Sequence, residues 1–179
     1  TDSSLVNTFF KKIFIITAQN MKESILKTLK GFPEKNIICE PYGKNTAPAI
    51  GLATALIVNK DPEAVIGVFP ADHYISNIDE FKKSIGIGFR FARDHTALVT
   101  FGIKPTRPAT GYGYIQIDKS VKDIPVAGCG YIQIDKSVKV IEDSVYKVKT
   151  FAEKPNLSTA ERFLESGEFL WNSGMFIWK

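Results

Sequence analysis

The chain has 179 residues, 44% of them hydrophobic and 12% aromatic, which is enough for one ordinary domain, or part of a larger one, with a substantial core. Its formal net charge is +4, but lysines and acids are interleaved without a basic helix or a basic–aromatic platform. That argues against nucleic acid and suits small anionic substrates. No apolar run reaches the roughly 18 residues of a membrane span, and the start does not read as a signal peptide. Cys39 and Cys129 have neither disulfide-framework nor zinc spacing, so a reducing, cytoplasmic home is expected.

Lys12–Thr17, apolar and β-branched, reads as a buried strand. Asn20 is placed to cap a helix to about Lys30, which Gly31 and Pro33 end. Asn36–Glu40 is a second short strand. Thr46 as N-cap and Pro48 in the first turn then open a helix over Ala47–Asn59. Ile50, Leu52, Ala53, Ala55, Leu56 and Ile57 make it apolar on nearly every face, the pattern of a helix buried between layers. Ala64–Phe69 is a further buried strand, ending in Pro70-Ala71-Asp72-His73. Asp79–Arg93 is a helix with Phe81, Ile85, Phe89 and Ala92 on one face, and Leu98–Ile103 is the next strand.

Strands alternating with helices imply βαβ units and a mainly parallel sheet. After Lys104 the pattern changes to Pro, Thr and Gly turns with short strands. Val145–Ala152 alternates as a strand, and Ser158 with Glu161 forms a capping box for a helix ending near Gly167. Gly174–Trp178 is the last strand. The expected fold is three-layer α/β, Rossmann-like, with an antiparallel addition.

Gly113–Lys122 (GYIQIDKSVK) recurs letter for letter as Gly130–Lys139, and Thr110-Gly111-Tyr112 weakly matches Ala127-Gly128-Cys129. Two copies cannot make a stacked solenoid core, so a tandem duplication or sequence-assembly error is the first reading, with a real hairpin insert as the other. No Gly-rich phosphate loop occurs. Gly86-Ile87-Gly88 falls inside a helix pattern rather than at a strand–turn–helix junction. Residues 1–179 are therefore expected to be an incomplete domain, the middle of a larger protein.

Several polar segments follow predicted strands, at the edge where open α/β sheets bind ligands. Asp72 is either a Mg²⁺ ligand, sharing a hard cation with substrate phosphates, or a turn aspartate. His73 stays unassigned. Lys154 suits a phosphate as a point charge and Glu153 a sugar hydroxyl, against the alternative of a surface Glu–Lys pair. Asn172 offers a donor and an acceptor to a hydroxyl pair, or belongs to an ordinary Asn-Ser-Gly turn. Gly111 and Gly113 let backbone approach a ligand closely. Asn45 and Thr46 either read a base edge or merely cap their helix.

In their order, Glu40–Ile50 (EPYGKNTAPAI), Phe69–His73 (FPADH), Thr100–Ile115 (TFGIKPTRPATGYGYI), Phe151–Pro155 (FAEKP) and Phe169–Phe176 (FLWNSGMF) resemble the mannose-1-phosphate guanylyltransferases, a branch of the sugar-phosphate nucleotidyltransferases. The likeness runs from about Lys12 to Lys179 apart from the repeat. It implies a Rossmann-like nucleotidyltransferase fold and a Mg²⁺-dependent transferase that makes GDP-mannose and pyrophosphate from GTP and mannose 1-phosphate, feeding polysaccharide biosynthesis. It also implies that Asn45, Thr46 and Ala47 lie near guanine and that Asp72 binds Mg²⁺ beside the nucleotide. By the same resemblance Gly111, Glu153 and Asn172 contact the sugar, and Lys154 holds its phosphate. A homo-oligomer is admissible.

The chain departs from the family where the N-terminal Gly-rich Arg/Lys signature and a second Mg²⁺ aspartate are expected. This stretch alone is therefore expected to show little turnover. The alternatives are a nucleotidyltransferase for another sugar phosphate or base, or a non-catalytic sugar-nucleotide-binding regulator.

Overall fold

Short β-branched runs become strands and the longer periodic runs become helices in the computed structural model, which describes residues 11–118, 127–134 (backbone pairing) and 145–179. The chain divides into two units, Thr1–Ala64 and Val65–Lys179.

In the first unit, β1 (Ile15–Ala18) and β2 (Ile37–Glu40) pair in parallel from Ile15↔Ile37 to Ala18↔Glu40. The crossover between them carries α1 (Lys22–Thr28), giving the expected βαβ unit. Buried Asn36 fastens the entry to β2, donating from Nδ2 to the carbonyls of Lys11 (3.3 Å) and Ile13 (3.0 Å). Lys22 Nζ lies 2.9 Å from Glu34 Oε1. This hydrogen bond, then the opposite charge, holds the Glu34 carboxyl below its ordinary range and raises the Lys22 ammonium.

Asn20 does not cap a helix. The chain leaving β1 tightens first into a 3₁₀ turn, Gln19–Met21, and α1 begins behind it without a side-chain cap bond.

The apolar helix appears as α2 (Thr46–Val58), but it is not buried between layers. Ala53 alone is buried, while Leu52, Leu56 and Val58 are 38–40% exposed. Apolar composition on every face dictates that a helix can be covered all round, not that it is. The described residues leave most of α2 open.

In the second unit, β3 (Ile66–Val68), α3 (Ile78–Asp94) and β4 (Thr96–Ile103) are followed by β5 (Tyr114–Asp118), β6 (Ala127–Ile134), β7 (Val145–Ala152), α4 (Leu157–Ser166) and β8 (Phe169–Trp178). The strand order is β3-β8-β4-β6-β7-β5, with β5 also paired to β8, so five strands close into a ring. β3 and β4 each run antiparallel to β8, hence parallel to one another, as a βαβ unit with a strand laid between requires. β4–β6 is parallel, and the pairings of β7 and β8 are antiparallel. The fold is α/β, combining parallel and antiparallel pairing.

Helix α3 starts where Asn77 Oδ1 accepts the Glu80 N–H at 3.1 Å. Its stripe of Phe81, Ile85, Phe89 and Ala92 packs on Val99, Phe101, Met175 and Ile177, as its periodicity predicts. Burying such side chains contributes about 1.5–3 kcal/mol each.

For α4 the cap is Asn156 rather than the Ser158–Glu161 box. Asn156 Oδ1 accepts the Thr159 N–H at 2.9 Å and the Ser158 hydroxyl at 3.0 Å. Gly167, in the left-handed region at φ 65°, ends the helix as expected.

The two copies of the repeat flank one strand. Copy one supplies β5 and copy two part of β6, both antiparallel to β7. The remainder of the repeat lies outside the described residues.

Candidate functional site

Tyr114 is fully buried, and its phenolic oxygen accepts the Ala109 N–H at 2.9 Å, so the 104–113 connection is folded back against the start of β5. Tyr114 pairs with Ala152 on β7 and with Trp171 on β8. Three segments far apart in sequence therefore meet at one point: the Gly111–Gly113 turn, the Glu153-Lys154 pair just past β7, and Asn172 on β8.

Gly113 is the hub. The Asn172 N–H donates to its carbonyl at 2.7 Å. A Cβ at Gly113 would stand 2.9 Å from Phe151 Cζ and 3.1 Å from Glu153 Oε2. Only glycine lets the Glu153 carboxylate and the turn approach this closely.

The final strand begins at Phe169 rather than Gly174, which removes the reading of Asn172 as an ordinary turn residue. Between the pairs Thr100↔Phe176 and Gly102↔Asn172, β8 uses more residues than β4, a bulge that Gly174 permits with φ 73°. The Asn172 amide is fixed there. Its Oδ1 accepts the Thr100 hydroxyl at 2.8 Å and the Gly174 N–H at 3.3 Å. Thr100 Oγ1 is also 3.0 Å from the Met175 carbonyl, so one hydroxyl proton is shared between two acceptors. With Oδ1 committed, the Nδ2 donors of Asn172 remain for a ligand hydroxyl.

Glu153 and Lys154 are exposed, with Nζ 3.4 Å from Oε1. Lys154 holds a left-handed backbone (φ 42°), one of two non-glycine residues with positive φ among those described. Such conformations cost about 1–3 kcal/mol and collect at ligand sites. The pair is an exposed ion pair of small intrinsic worth, so it is available to a ligand at little cost.

Asp72 follows β3 in the same unit. Pro70 Cγ lies 3.5 Å from where a Cβ on Gly174 would stand, which sets the start of the Asp72 loop beside the β8 bulge. The Asp72 side chain is 89% exposed, with His73 Nε2 at 3.9 Å. The described residues contain no cluster of His, Cys, Asp and Glu that makes a metal cage. An open carboxylate fits one protein ligand of a Mg²⁺ ion that completes its shell with water and phosphates.

Asn45, Thr46 and Ala47 belong to the first unit and are exposed. Thr46 is the first helical residue and Asn45 the cap, without a side-chain cap bond and with φ 68°, ψ −175°. Sequence reasoning placed the cap one residue late, because the unusual backbone at Asn45 has no sequence signature.

Two features escaped the sequence reading. Thr100 was passed over as a strand residue, although a hydroxyl within an otherwise apolar strand is a usable signal. The other is a cluster in which the Arg107 guanidinium lies 5.8 Å from the Tyr112 ring centre and 5.7 Å from that of Trp171. The two rings meet edge-on at 5.1 Å.

Residues 1–179 match the nucleotidyl transferase family. A mannose-1-phosphate guanylyltransferase of Escherichia coli is 42% identical over 146 residues, covering 80% of this chain and 28% of the relative. A putative mannose-1-phosphate guanylyltransferase of Vibrio cholerae is 34% identical, covering 92% and 31%. The chain thus spans under a third of the length of these relatives. Among solved structures, one described as a mannose-1-phosphate geranyltransferase from Thermus thermophilus aligns with TM-score 0.69 at 25% identity, over 92% of this chain and 41% of that one. A mannose-6-phosphate isomerase from Helicobacter pylori aligns with TM-score 0.70 at 28% identity, over 92% and 54%. No helix among the described residues is long and apolar enough to cross a membrane.

Proposed function

Since this chain belongs to the nucleotidyl transferase family, we propose that it forms part of an enzyme joining GTP and mannose 1-phosphate into GDP-mannose with release of pyrophosphate. The observation that carries this reading is the convergence at Gly113. A backbone carbonyl, a carboxylate and a carboxamide brought to one sheet edge are the donor and acceptor set for sugar hydroxyls, and the Lys154 ammonium beside them suits the phosphate.

In this reading Gly111 contributes backbone, Glu153 accepts from sugar hydroxyls, and Asn172 donates through Nδ2. Asn45, Thr46 and Ala47 serve the guanine, and Asp72 is one ligand of Mg²⁺. A bound Mg²⁺ supplies charge neutralisation on the nucleotide phosphates. The oxygen of the sugar phosphate is the nucleophile toward the α-phosphorus, so the protein need only position and neutralise. Two cysteines with neither disulfide nor zinc spacing suit a cytoplasmic setting for this work.

Calorimetric titration of this chain with α-mannose 1-phosphate and α-glucose 1-phosphate tests the reading. Tighter binding of the mannose compound is expected, with Lys154→Gln weakening it roughly 10- to 100-fold, the usual worth of a hydrogen bond to a charged group. Equal affinity for both sugars, or indifference to Lys154→Gln, overturns the assignment of this edge.

A further inference from the structure

Arg107 lies on the same 104–113 connection that supplies the Gly111–Gly113 turn. It is exposed, and it has no carboxylate partner among the described residues. Its guanidinium is instead held against two rings, Tyr112 from the turn and Trp171 from the residue before Asn172. A cation–π contact at this range uses the charge and spends none of the guanidinium's N–H donors. Trp171 Nε1 is also buried without an acceptor, a condition that costs about 1–3 kcal/mol. A cation without a carboxylate partner among the described residues borders a turn whose nearby anion, Glu153, is already matched by Lys154. The missing chemistry is an acceptor-rich anion.

We propose that Arg107 is a specificity-determining residue that donates in bidentate fashion to the phosphate of the sugar phosphate, so that this edge takes a phosphorylated sugar in preference to the free one. The proposal rests on the reading above that the edge binds a sugar phosphate. Lys154 is a point charge that any anion satisfies, whereas the planar fork of Arg107 matches two phosphate oxygens at fixed spacing. The Tyr112–Trp171 pair acts as its support. By limiting the rotamers of a long side chain, the rings lower the ordering cost that binding would otherwise carry.

The test uses Trp171 as a reporter in a Trp178→Phe background, following fluorescence during titration with α-mannose 1-phosphate, mannose and inorganic phosphate. Arg107→Gln is expected to weaken α-mannose 1-phosphate about tenfold or more and to leave mannose unchanged, and Arg107→Lys to recover only part of the loss. Unchanged circular dichroism and melting in both variants separates lost binding from lost folding.

Equal loss for mannose and its phosphate would show Arg107 merely packing the turn and would overturn the proposal, as would full rescue by Arg107→Lys or no loss in either variant. If the parent ignores α-mannose 1-phosphate yet binds inorganic phosphate in an Arg107-dependent way, the anion role stands and the sugar reading falls. If it binds neither phosphate, both fall.

Discussion

The Gly111–Gly113 turn and the Pro41–Thr46 loop both bring glycine and polar residues to the edge of a strand, and they are held very differently. The turn is gripped from two sides, by the Asn172 N–H on the Gly113 carbonyl and buried Tyr114 behind it, with Glu153 so near that a Cβ at Gly113 would crowd it. In the loop, residues 41–48 are all exposed, Asn45 carries a strained backbone, and no side chain caps the helix behind it. A position between paired strands inherits its geometry from the ladder. One at the start of a helix must obtain geometry from caps or from a bound partner. The turn of the second unit is therefore preorganised, and the loop of the first is not.

The largest effect is expected at Tyr114. Tyr114→Ala removes a fully buried ring that also accepts the Ala109 N–H, and should cost about 3–5 kcal/mol in denaturant unfolding of the second unit. A cost below about 1 kcal/mol would mean that the turn is not anchored through this ring.

Next comes Asn172→Ala, which takes the acceptor from Thr100 and Gly174. Because the Met175 carbonyl can still receive the Thr100 proton, a loss of only about 0.5–1.5 kcal/mol is expected, together with weakened sugar binding by calorimetry. Loss of stability with sugar affinity intact would separate the fold role from the binding role.

Asn45→Gly works in the opposite direction. Glycine adopts φ 68°, ψ −175° without a Cβ clash, so this variant should stabilise the first unit by up to about 1 kcal/mol, read as a raised melting midpoint. If Asn45 also touches guanine, GTP binding falls while stability rises. The smallest effect is expected from Leu56→Gln on the open face of α2, within about 0.5 kcal/mol, because that side chain is already 39% exposed. A loss of several kcal/mol would show that α2 is covered in solution.

The same contrast explains what the sequence made legible. The amphipathic stripe of α3 and the alternation of Val145–Ala152 translate directly into elements, since period and burial coincide there. The glycines, Glu153, Lys154 and Asn172 pointed to a common edge because each sits where a predicted strand ends or turns, and the second unit brings the Gly111–Gly113 turn, Glu153-Lys154 and Asn172 together. The burial of α2 was not legible: a helix apolar all round names no preferred face, and its surroundings lie outside its own sequence. Nor was the bulge at Ser173-Gly174, since a strand that opens its register around a glycine looks like a turn in one dimension. The Arg107–Tyr112–Trp171 cluster joins residues 64 positions apart in sequence and has no periodic signature.

Strand β7 has consequences for how the second unit finds its fold. On each side of it lies a strand containing the same Tyr-Ile-Gln-Ile, β5 from one copy of the repeat and β6 from the other, both antiparallel to it. The four shared residues themselves do not distinguish the two strands, although β5 lies along Lys147–Ala152 and β6 along Val145–Lys147. The choice falls to pairings beyond the repeat: β5 is claimed by β8 through Tyr114↔Trp171, and β6 by β4 from Thr96↔Ala127 onward. A chain in which β7 docks before those claims are made starts with two equivalent neighbours exchanged, and must undo hydrogen bonds before it can advance. A slow phase in the refolding of this unit that disappears when one copy of the repeat is altered is the expected mark of one identical strand exchanging for another.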